Sequence, residues 1–66
     1  MKLGVDEQAD ALYLRLDDSP IVESEEVQPG IILDFNEDNQ VVGVEILGVR
    51  SRVPLAALRS LQFESV

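Results

Sequence analysis

The chain has 66 residues, with 13 acids against 5 bases, no histidine and no cysteine, for a formal net charge of −8. That composition excludes a disulfide framework, a cysteine- or histidine-ligated metal, and catalysis built on an imidazole or a thiolate. The acid excess argues against nucleic acid and anionic membrane surfaces as partners, because both demand a cationic face.

A chain of this length makes one domain, residues 1–66, and buries only about 60% of the surface its unfolded form exposes. Association with a further copy is therefore the first expectation from size alone. The charge is divided. Residues 1–49 set Lys2 and Arg15 against twelve acids, a sum of −10, and residues 50–66 set Arg50, Arg52 and Arg59 against Glu64, a sum of +2. The reading is a β-rich acidic body followed by a basic helical tail.

The elements follow from periodicity. Residues 3–5 form a short apolar stretch, and residues 6–10 are polar enough for a turn. The N-terminal stretch has no apolar core of a signal peptide, and no apolar run approaches the roughly 20 residues that span a bilayer. A cytoplasmic protein is the expectation. Residues 11–17 alternate, with Leu12, Leu14 and Leu16 on one face and Tyr13, Arg15 and Asp17 on the other, as in a half-buried strand. Asp18, Ser19 and Pro20 break it. Residues 21–27 form a weaker strand whose glutamates suit a sheet edge.

Residues 28–30 signal a turn, and residues 31–35 a strand with Ile31, Leu33 and Phe35 on one face. Residues 36–40 read as a hairpin loop in which Asn39 tolerates a left-handed backbone. Residues 41–47 return as a strand, with Val42, Val44 and Ile46 facing one way and Val41 and Leu47 the other. After Gly48, Pro54 and the spacing of Leu55, Leu58 and Leu61 predict a short amphipathic helix over residues 54–62. The fold class expected is α+β: a small antiparallel meander of about five strands with one C-terminal amphipathic helix.

Four groups of residues invite a functional reading. Asp34, Asn36, Asp38, Asn39 and Glu45 fit the spacing of a calcium loop. Such a loop needs flanking helices, and the flanks here alternate like strands, so turn chemistry is the better reading. Glu23, Glu25 and Glu26, with Asp17 and Asp18 upstream, suit a basic partner or the protection of an edge strand, and the two are compatible. Asp6, Glu7 and Asp10 resemble an acid–base cluster, but solvated turn residues explain them more simply. Arg50, Arg52 and Arg59 are expected to pair with acids of the body or of a second subunit. No catalytic residue, no metal and no cofactor is assigned, and the expectation is a protein that is not an enzyme.

Three stretches carry a family resemblance: residues 6–16 (DEQADALYLRL), residues 23–26 (ESEE) and residues 30–47 (GIILDFNEDNQVVGVEIL). Together they resemble the small prokaryotic family catalogued as domain of unknown function 2283. Glu7 stands where that family often has proline, and Asn39 where it often has glycine. The resemblance covers most of residues 1–52 and implies a compact α+β fold with no established activity. It also suggests, for some members, an antitoxin role beside a small basic toxin.

The leading expectation is a non-catalytic cytoplasmic protein that self-associates as a dimer or higher oligomer. Its expected interaction surface is Tyr13, Val41, Leu47, Leu55, Leu58, Leu61 and Phe63. The alternative is an antitoxin-like inhibitor of a small basic toxin or ribonuclease.

Overall fold

A computed structural model describes residues 1–66. Five strands form one antiparallel sheet: β1 (Lys2–Asp6), β2 (Ala11–Arg15), β3 (Glu23–Gln28), β4 (Ile31–Phe35) and β5 (Val41–Leu47). A 3₁₀ turn, Val49–Ser51, and a four-residue helix, α1 (Leu55–Leu58), follow. Bounds for β4 and β5 match those read from alternation. Strand β2 stops earlier than expected because Arg15 turns back to hold the next loop. Its Nε donates to the Asp17 carbonyl at 2.7 Å and its Nη2 to the Ser19 carbonyl at 2.5 Å.

The strand order, β1-β2-β5-β4-β3, corrects the expected meander. Strand β2 pairs with β5 and not with β3, through Leu12↔Ile46 and Leu14↔Val44. The physical reason is cross-strand complementarity. Strand β5 offers apolar side chains at the positions facing the β2 leucines, whereas β3 would set glutamates there. Residues 16–22 carry the chain past two strands, giving a Greek-key arrangement.

Cross-strand partners share a face, so the register sorts the side chains. One face carries Leu3 and Val5 of β1, Leu12 and Leu14 of β2, Val44 and Ile46 of β5, and Ile31 and Leu33 of β4. The opposite face carries Lys2, Gly4 and Asp6, then Tyr13 and Arg15, then Gly43 and Glu45, then Ile32 and Asp34, then Ser24 and Glu26. Ladder register slips between Asp34 and Phe35, where Val42 becomes the extra residue of a bulge.

The core is thin. Only two apolar residues are buried, Val42 at 2% exposure and Val49 at 3%. Val49 is tied to the β1–β2 turn, where its N–H donates to the Asp10 carbonyl at 3.1 Å. The molecule measures 36 × 30 × 20 Å, a slab rather than a sphere.

The expected amphipathic helix over residues 54–62 is also corrected. Helix α1 spans four residues, buries none, and has no side-chain cap and no complementary charge at either end. One turn cannot hold itself without packing. No helix is long and apolar enough to cross a membrane.

The β4–β5 loop shows why residues 34–45 form a hairpin. The Asn36 side chain is buried, and its Oδ1 accepts the N–H groups of Asp38 and Gln40, each at 3.0 Å. Its Nδ2 donates to Gln40 Oε1 and to Ser19 Oγ. Asn39 adopts the left-handed conformation, φ 61°, as its side chain permits. Replacing Asn36 with alanine strands two backbone donors, and a stability loss of about 2 kcal/mol is expected. A urea titration checks it: a loss under about 0.5 kcal/mol would mean that the backbone turn alone sets the hairpin.

Candidate interaction surfaces

The polar face of the sheet is concave, and it encloses a cleft of about 620 Å³. Lys2, Tyr13, Arg15, Asp34, Glu45 and Leu47 are among its lining residues, and no residue after Leu47 takes part. Gly4 and Tyr13 are cross-strand partners, and the Tyr13 ring lies over Gly4, so that a Cβ there would overlap the ring atoms. This is the aromatic cover that an edge glycine invites.

At the floor of the cleft two acids meet. Asp34 is only 4% exposed, and its Oδ1 accepts the Ser24 hydroxyl at 2.6 Å. Gly43 lies directly across the ladder, and a Cβ there would stand 2.9 Å from Asp34 Oδ2. The Glu45 carboxyl stands beside Asp34. Hydrogen bonding of its protonated form to Asp34, with burial and the neighbouring charge, raises the Glu45 pKa above its ordinary value of 4.5. Asp34 and Glu45 therefore do come together, as strand residues on one face. Asn36 spends its side chain on the turn, so the calcium-loop spacing assembles no cage. The interior glycine was the signal for this network, since a glycine inside a strand marks a close approach.

Four other acids have identifiable tasks. Asp6 Oδ1 accepts the Ala9 N–H at 3.0 Å, closing the β1–β2 turn. Asp10 Oδ1 accepts both the backbone N–H and the Nε of Arg50, at 2.9 and 3.0 Å. The backbone bond from Arg50 holds the Asp10 carboxyl below the usual carboxylate range. Bonds from Ser19 do the same for Asp17. Glu7 pairs with Arg59 at 3.1 Å, while Arg52 donates to the Pro29 carbonyl at 3.2 Å. Two of the three tail arginines thus meet acids of the body.

The residues expected to form an interaction surface lie on the sheet and along the tail. Tyr13 and Leu47 stand exposed on the concave face, and Val41 is exposed at the start of β5. Leu55, Leu61 and Phe63 are exposed along the tail, and Leu58 is half-buried. Two further surfaces are exposed. One is the leucine face, whose exposed residues on β1 and β5 are Leu3, Val5 and Val41, the last paired with Phe35 because of the bulge at Val42 and so not on the face of Leu47 as alternation predicted. The other is β3, the sheet edge expected from its glutamates, with every residue exposed.

A family model described as "Protein of unknown function (DUF2283)" matches residues 2–50, which takes in all five strands and leaves α1 outside. No curated protein and no solved structure matches the chain.

Glu45 holds its proton more tightly in the folded chain than in the unfolded one. Its contribution to stability is present below the ordinary glutamate pKa and is lost as pH rises through the folded value. Asp10 and Asp17 act oppositely, and their contribution fades as pH falls through their lowered values. Glu45→Gln keeps a donor for Asp34 and removes the ionisation. Thermal unfolding should show the variant more stable than the parent at pH 7, with the gap closing below about pH 4. An equal gap at both pH values would assign the effect to packing. Gly43→Ala pushes a methyl against Asp34, with an expected cost of about 1–3 kcal/mol in the same assay, and an unchanged midpoint would mean that the carboxylate swings aside freely.

Proposed function

We propose that this chain, which belongs to the DUF2283 family of unknown function, is a non-catalytic protein that works as a self-associated assembly. The observation that carries the reading is surface area. A folded monomer of 7.3 kDa is expected to expose about 4,200 Å². This chain exposes 5091 Å². The excess, about 900 Å², matches the roughly 800 Å² that each partner contributes to a standard interface. The radius of gyration, 12.7 Å against about 11 Å for a compact chain of this length, speaks for the same deficit. A sheet with one half-covered apolar face gains what it lacks from another protein surface, and its own copy is always at hand.

The non-catalytic part of the reading rests on how the acids are employed. Asp6, Glu7 and Asp10 serve a turn and two arginines, and the Asp34–Glu45 pair is bonded to itself and to Ser24. Each is engaged in holding the fold.

A second reading draws on β3. Its exposed glutamates form an acidic rim suited to a basic partner protein, as an antitoxin-like inhibitor of a small toxin or ribonuclease would need. Co-purification with the product of an adjacent small basic reading frame, weakening as salt rises, would support it, and a binding constant indifferent to salt would remove the steering argument.

Sedimentation equilibrium of the full chain tests the leading reading. A mass of two or more chains at tens of micromolar is expected. A single-chain mass across that range would overturn it.

A further inference from the structure

We propose that a second copy of this chain joins through β1, antiparallel to its counterpart and centred on Gly4, so that two five-stranded sheets become one. This rests on the self-association just proposed and names its seam.

The sheet has two edges, β1 and β3. Both leave a row of backbone donors and acceptors unpaired. Strand β3 is defended. It carries three exposed glutamates and no base, and its register slips at Val27. Two copies meeting there would set carboxylates against carboxylates. Strand β1 has none of these defences. Its five residues pair with β2 without a slip, it contains no proline, and its one cation and one anion cancel.

The sequence of β1, Lys2-Leu3-Gly4-Val5-Asp6, is complementary to its own reverse. With the two-fold axis at Gly4, Lys2 of each copy faces Asp6 of the other, and Leu3 faces Val5. Every contact is made twice, as a two-fold interface requires. Neither Lys2 nor Asp6 has an ion-pair partner inside the chain. Apart from Val41, which pairs with Phe35 away from this edge, Leu3 and Val5, 43% and 39% exposed, are the only apolar residues that β1, β2, β4 and β5 place on the leucine face and leave exposed. The seam would cover those two. On the opposite face Gly4 has no side chain to hold the backbones apart, and the Tyr13 ring over it flanks the join.

Sedimentation equilibrium of the full chain with Lys2→Asp, with Asp6→Lys, and with both together tests the register. Each single change sets like charges opposite one another at both ends of the seam and should raise the dissociation constant at least tenfold. The double change restores opposite charges and should return the parent value. Mixing the two single variants joins an all-acidic edge to an all-basic one and should give a mixed oligomer, an outcome that misfolded variants could not produce. A parent chain that associates while both single variants match it would overturn the β1 seam and leave self-association standing. Weakening in the singles without rescue in the double variant or the mixture would overturn it as well. A monomeric parent would overturn both.

Discussion

Strand β5 is paired on both sides, with β2 along one edge and β4 along the other, and the rest of the molecule depends on that double pairing. It brings the β1–β2 hairpin and the β3–β4 hairpin into a single sheet. It sets Gly43 under Asp34 and Glu45 beside it, and it buries Val42, one of two buried apolar residues. The tail leaves from its end through Gly48, whose φ of 62° turns the chain back toward the β1–β2 turn. A hairpin on either side would be marginal alone, and three or more strands sharing an apolar face are what give a sheet independent stability.

The arrangement leaves a slab with little interior. Most side chains on the leucine face are only half-covered, and α1 contributes no buried residue. In small chains surface grows faster than core, so the margin must come from an added staple or an added chain. This chain has no cysteine to supply a staple. Its tail is fastened by exposed ion pairs, Arg50 to Asp10 and Arg59 to Glu7, and pairs of that kind contribute little each.

The charge of −8 is distributed with discrimination. Acids near the β1–β2 turn close that turn and hold the tail. Those of β3 face solvent along one edge. Asp34 and Glu45 meet on the concave side, and there the burial of neighbouring acids works against the fold at neutral pH. The open edge, β1, is the only strand whose charges balance within an apolar run.

Strand positions were written locally. Alternation located β2, β4 and β5, proline and glycine marked the turn after β3, and Asn39 announced its left-handed backbone, because each signal depends only on neighbours in the chain. The matching family segment, residues 2–50, takes in all five strands. What the sequence could not decide was which strands meet. The β2–β5 pairing joins residues 28 to 36 positions apart, and only the summed fit of Leu12 with Ile46 and Leu14 with Val44 selects it over the neighbouring β3. The overlong helix has the same origin. A leucine every third residue promises a buried stripe, but a helix is held by the surface it docks on, and the tertiary structure offers α1 none that covers it. Asp34 and Glu45 likewise meet only because β4 and β5 pair in the register that sets Gly43 opposite Asp34 and Ile32 opposite Glu45.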